Sequence, residues 1–265
     1  MGRWSTFWGV VLVVLGGLFL LQSLGLLSTN IWNVLWPAIL ILFGLWILIG
    51  AFYRPQTRTE QASVPLAGAQ RAKVRVHHGA GRLIVNSNAS ADKIVDGTFA
   101  GGLDFRKQLA GDTLDVDLRV PTDTIPSFWG PWNWNRGMLD WTFGMSSAPT
   151  LQLEFETGAS ETRLDLSVLH VADLWLKTGA SSTEVMLPSN AGSTRVRIEA
   201  GAASVSLRVP DGVAARIRAT GLVNVEVDTR RFPRAGDAYE SSDYATAANK
   251  VDIDAQMGAG SIKVR

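Results

Sequence analysis

The chain opens with two apolar runs and then changes to short alternations. Phe7 to Leu27 is interrupted only by Gln22 and Ser23, and Ile31 to Tyr53 only by Asn33. A bilayer core needs about 20 apolar residues in a helix, so both runs are long enough to span, at 7–27 and 31–53. Between them lies only the uncharged turn Ser28-Thr29-Asn30. Aromatic rings fall where such a hairpin meets the interfaces: Trp4 and Trp8 at one, Trp32 and Trp36 at the other, Phe52 and Tyr53 back at the first. Residues 1–53 carry one charged side chain, Arg3, which disfavours a buried helical hairpin in a soluble protein. A signal peptide cleaved near Ser23-Leu24-Gly25 is a second alternative, and it still leaves one anchor.

After a polar linker (54–70, with Pro55 and Pro65) the period changes to two. Val74-Arg-Val76 precedes Gly79-Ala-Gly81 and then Leu83-Ile-Val85; Leu174-Trp-Leu176 precedes Gly179-Ala-Ser181 and then Val185-Met-Leu187. The same pattern surrounds Gly158, Gly201, Gly221 and Gly258. From Gly158 the glycines advance by 21, 22 and 20 residues to Gly179, Gly201 and Gly221. From glycine to the next inward residue the offset is four (Leu83, Val205, Val225, Ile262) or six (Leu164, Val185), and an even offset keeps the same face inward. Two short strands per period with a glycine at a corner describe a rung of a β-solenoid. A β-sandwich is the alternative, but its strands rarely repeat one motif at constant pitch. The expected architecture is therefore membrane-anchored all-β: a two-helix transmembrane hairpin (1–53), and a single β-solenoid of about six repeats (71–265).

The rungs at Thr178-Gly-Ala-Ser181 and Gly258-Ala-Gly-Ser-Ile-Lys-Val264 resemble the bacterial toastrack domain, a β-solenoid module often labelled an adhesin. The stretch with Leu15-Gly-Gly-Leu-Phe-Leu-Leu21, Trp36-Pro37 and Ile39 to Leu48 is similar to the LiaI/LiaF-like transmembrane region. The resemblance implies a membrane-anchored regulator or scaffold of the bacterial envelope-stress or antibiotic response, not a catalyst. It identifies neither signal nor partner. One hairpin stands where longer relatives can have more.

Charge sets the orientation. Arg3 precedes the first run, Arg54 and Arg58 follow the second, and the turn has none. Excess Lys/Arg on the cytoplasmic side then puts both termini, and the solenoid, in the cytoplasm of a multi-pass inner-membrane protein. A net charge of +1 carries no nucleic-acid signal. The lack of cysteine excludes disulfides, thiolate metal sites and cysteine nucleophiles.

No cofactor or catalytic centre is legible. Outward positions between inward pairs read Ile84, Asp165, Met186, Ser206, Glu226 and Lys263; two rungs intervene between the two carboxylates, too far for a coupled dyad. His77 and His78 point to opposite faces and His170 stands alone, so all three read as surface residues rather than metal ligands. An enzyme would need carboxylates gathered from separate loops, such as Asp123, Asp140 and Asp237.

Two insertions break the rhythm. The first, 121–150, holds Phe128, Trp129, Trp132, Trp134, Trp141 and Phe143 with few charges. It either caps an open solenoid end or docks on a protein partner or the membrane. The second, 229–250, brings Arg230, Arg231 and Arg234 together, candidate contacts for lipid headgroups, although Asp237, Glu240 and Asp243 favour a solvated loop. The expected partners are the lipid bilayer and either another protein or a second copy stacked through the solenoid. The rival function is an exported, membrane-anchored adhesin or glycan-binding module whose tryptophans stack on sugars.

Overall fold

A computed structural model describes residues 36–37, 40–41, 44, 59–121, 139–190 and 192–265. The chain divides into two compact units, Met1–Pro55 and Gln56–Arg265. In the first, Trp36, Pro37, Leu40, Ile41 and Gly44 are helical, with Trp36 exposed. No helix among the described residues is long and apolar enough to cross a membrane. The spans read at 7–27 and 31–53 lie almost wholly outside those residues, as do Trp4, Trp8, Trp32, Phe52 and Tyr53.

The second unit is built on long strands that bend at their glycines: β2 (Arg71–Asn86), β7 (Thr150–Asp165), β8 (His170–Met186), β9 (Ser193–Arg208), β10 (Ala214–Val227) and β13 (Lys250–Val264). They pair in parallel in the order β2-β7-β8-β9-β13-β10. Alternation places β-branched and leucine side chains on one face, and register stacks them in columns. Val74, Leu153, Leu174, Val196, Ile253 and Ile217 form one, all buried. Beyond the bend Leu83, Thr162, Thr183, Val205, Ile262 and Val225 form another.

That second column corrects the reading of the offsets. The inward position is four residues past the glycine in β7 and β8 as well, filled by Thr162 and Thr183, both buried. Their hydroxyls are satisfied by Ser160 at 3.2 Å and Ser181 at 3.3 Å, which makes a buried polar group affordable.

Gly158, Gly179, Gly201 and Gly258 serve the close stacking of backbones, whereas Gly221 alone of the repeat glycines has a positive φ, 112°. Gly79, Gly158, Gly179, Gly201 and Gly258 lack a positive φ. A Cβ on Gly158 would lie 2.3 Å from the Gly79 carbonyl oxygen, one on Gly179 3.0 Å from that of Gly158, one on Gly201 3.1 Å from that of Gly179, and one on Gly258 2.8 Å from that of Gly201.

Smaller strands flank this rack. β5 (Thr113–Arg119) extends the first half of β2 in parallel and carries β4 (Asp104–Ala110) antiparallel on its outer edge. β6 (Trp141–Met145) extends the second half, followed by β3 (Lys93–Ala100) and β1 (Thr59–Pro65), both antiparallel. At the other end β12 (Ala238–Glu240) covers Arg216–Ile217 of β10, and β11 (Arg234–Ala235) pairs with β12.

Four features differ from the sequence reading. β1 lies inside the stretch read as linker, because Val64 is buried and its polar neighbours face water. β6 lies inside the Trp-rich insertion, where Trp141, Phe143 and Met145 alternate into the core. The loop at 229–250 is anchored, not merely solvated, since Phe232 and Tyr244 are buried. Finally β13 intercalates between β9 and β10, so Asp165 and Glu226 stand on strands separated by three others, β8, β9 and β13.

Candidate functional site: a trough along the glycine column

The bends leave an open trough of about 1200 Å³ that runs across the rack along the glycine column. Its floor is the backbone of Gly79, Gly158, Gly179, Gly201 and Gly258. One wall is the outward position two residues before each glycine: His77, Glu156, Lys177, Glu199 and Gln256, in direct register across neighbouring strands.

Charge along that wall is tightly paired. His77 Nδ1 lies 2.7 Å from Glu156 Oε2, and its Nε2 lies 3.5 Å from Asp117 Oδ1. Lys177 Nζ donates to Glu154 at 2.8 Å and Glu156 at 2.9 Å; these bonds hold Lys177 above the usual ammonium range and, with Lys177 as the largest cause, Glu156 below the usual carboxylate range. The Arg119 guanidinium bonds both oxygens of Asp117, at 2.8 and 2.7 Å, and keeps that carboxyl ionised to lower pH.

Just outside the wall Trp175 faces outward on β8. Lys177 Nζ stands 3.7 Å and Arg197 Cζ 4.6 Å from its ring centroid, and its indole N–H donates to Glu199 at 3.2 Å. An aromatic plane braced by two cations suits contact with a polar partner. Of the wall only His77 stands out in the sequence; the signal that finds Glu156, Lys177, Glu199 and Gln256 is the position two before each repeated glycine.

His78 closes one end of the trough. It is 1% exposed, correcting its reading as a surface residue. Its Nε2–H donates to the Leu139 carbonyl at 2.7 Å and its ring tilts against Trp141 at 5.3 Å. Burial pushes its pKa below the ordinary histidine value.

The other sequence candidates disperse. Trp141 and Phe143, read as contact residues, are 0% and 1% exposed and pack with Phe99 at 5.1 and 5.7 Å. They face inward on β6 and are core, not surface. Phe128, Trp129, Trp132, Trp134 and Asp123 lie outside the described residues. Arg231 is structural: its guanidinium bonds the carbonyls of Val209 (2.7 Å), Pro210 and Val213 (3.2 Å), so it is not free for headgroups. Arg230 and Arg234 are exposed. Asp140, bonded by the Arg82 N–H at 3.2 Å, sits beside β2, and Asp237 lies in the turn between β11 and β12, at the opposite end of the rack. No three potential ligands gather as a metal site among the described residues.

Residues 53–208 match the family model for the N-terminal domain of toast_rack, DUF2154. The chain belongs to the toast-rack family. Residues 6–48 match the LiaI-LiaF-like transmembrane region, so the toast-rack domain is carried on a bacterial membrane protein that associates with the bilayer. The fold also matches a crystal structure from Clostridium sporogenes, of a protein provisionally assigned to cell adhesion. The TM-score is 0.69 at 18% identity, over 79% of this chain and 99% of that one. At that identity the likeness is one of fold. No functionally curated protein matches.

Proposed function

We propose that this toast-rack chain is a non-catalytic, membrane-tethered binding and scaffold protein of the bacterial envelope-stress response. The apolar runs form a two-helix hairpin in the inner membrane, and the rack faces the cytoplasm, as the three arginines at 3, 54 and 58 favour. The observation that carries the reading is the trough. It is long, floored by backbone, and walled in part by His77, Glu156 and Lys177, whose charges are satisfied by one another and by Asp117 and Glu154; that suits an extended partner rather than a reaction. Phe128, Trp129, Trp132 and Trp134 are the proposed contact residues of the Trp-rich segment.

The experiment is a reporter fused after Arg265 that is active on only one side of the membrane. Cytoplasmic activity is expected. Activity outside would overturn the orientation and favour the second reading, an exported adhesin or glycan-binding module, for which the outward indole of Trp175 and the likeness to the Clostridium sporogenes protein speak.

A further inference from the structure

The rack ends on a half-covered rung. β10 is the outermost of the long parallel strands. Its first half is shielded by β12 at Arg216–Ile217. Its second half, Leu222–Val227, pairs with β13 and, among the described residues, with nothing on its other side. Leu222 is 83% exposed. The inward Val223, Val225 and Val227 are only partly buried, whereas Ile262 and Val264 on the next strand are fully covered. Among the described residues no strand covers that edge, along a stretch of high β-propensity.

We infer that a second copy of this chain supplies it: two Leu222–Val227 edges pair antiparallel about a two-fold axis at Val225. In that register Val225 faces Val225 and Val223 faces Val227, so all three half-covered valines of each copy gain partners. Asn224 faces Glu226, an amide against a carboxylate, and no like charges oppose one another. Glu226 is already neutralised by Lys263 of its own copy.

Head-to-tail stacking is disfavoured by the other end. There the first half of β2 is covered by β5 and β4, and the second by β6, β3 and β1. The outer strand β1 ends in Pro65 after a register shift, a device that blunts edges. A two-fold contact also closes, where a head-to-tail one would grow into filaments. Anchoring in a membrane raises the effective concentration for such a pairing. The dimer does not depend on which side of the membrane the rack occupies.

The chain has no cysteine, so single thiols report the register. In the full chain held in bilayer nanodiscs under mild copper oxidation, Val225→Cys is expected to cross-link into a dimer, since facing Cα atoms lie about 5 Å apart. Leu222→Cys is expected to stay monomeric despite its greater exposure, because the two copies of that residue stand about 20 Å apart. Cross-linking at Leu222 equal to or above that at Val225, or at neither, overturns the proposal. Charge variants test it without thiols, both sites being exposed. Asn224→Lys alone should keep the dimer by facing Glu226 of the second copy. Asn224→Lys with Glu226→Lys should release monomers on light scattering. A double variant that stays dimeric, or a wild-type monomer, equally overturns it.

Discussion

His78 shows what a titratable group costs when a fold swallows it. Its burial disfavours the charged ring and, outweighing the bond to the Leu139 carbonyl that favours it, holds its pKa below that of the unfolded chain. As pH falls below about 6.5 the unfolded chain takes up a proton that the folded chain refuses, so stability falls with pH. The thermal midpoint is therefore expected to drop between pH 7.5 and 5.5, and His78→Gln, which still donates to the carbonyl, should flatten that slope. The carboxylates held low by their partners, Glu156 and Asp117, act at lower pH. Their stabilisation is present above the ordinary carboxylate range and is lost as pH falls through it. Nearby, Trp141→Ala should cost about 3–5 kcal/mol of stability by emptying core volume, read as a fall in denaturant midpoint. Opposite facing of His77 and His78 was legible in the strand pattern. The burial of His78 was not, because its partner lies 61 residues away along the chain.

At the scale of the strand, the glycines separate two roles that one motif hides. Gly158→Ala must push a methyl against the Gly79 carbonyl oxygen at 2.3 Å, whereas a Cβ on Gly79 meets nothing within 4 Å. Gly158→Ala should destabilise by about 1–3 kcal/mol, while Gly79→Ala leaves the midpoint nearly unchanged in the same melt. The repeat, its pitch and its inward valines and leucines could be read from alternation alone, since period two is dictated by the strand. Thr162 and Thr183 could not: a threonine at a core position looks polar until its serine neighbour is seen to satisfy it. Nor could β4 be read as part of the rack. Every residue of β4 is exposed, so its sequence carries little apolar signal. The trough wall, His77 apart, was missed for a related reason. Its residues share no chemistry along the chain; only the register of separate strands makes them a row.

Across the whole molecule, the partition into an apolar N-terminal segment and a β-rich domain was plain from hydropathy, and the family matches follow the same division. The contact role of the Trp-rich segment is tested by replacing Trp132 and Trp134 together with Ala. The expected outcome is weakened membrane or partner association in a flotation or pull-down assay with an unchanged melt; a lost fold would instead mean that the segment caps the rack. Strand order could not be read from the sequence. Consecutive repeats on one chain naturally suggest consecutive neighbours, and β7, β8 and β9 obey that rule. The last strand does not.

Because β13 wedges between β9 and β10, the order of synthesis and the order of assembly conflict. While the chain is still emerging from the ribosome, β9 and β10 are both available and β13 is not. The neighbouring pairs before them join in sequence, so the nascent domain is invited to close β9 directly onto β10. Non-local pairing is slow in any case, and here a premature neighbour must be parted before the late strand can enter. Refolding of the domain should therefore pass through a compact species that lacks only its final strand. Supplying 250–264 as a separate peptide to a chain stopped at Asn249 should complete that species, detectable as recovery of the full cooperative melt.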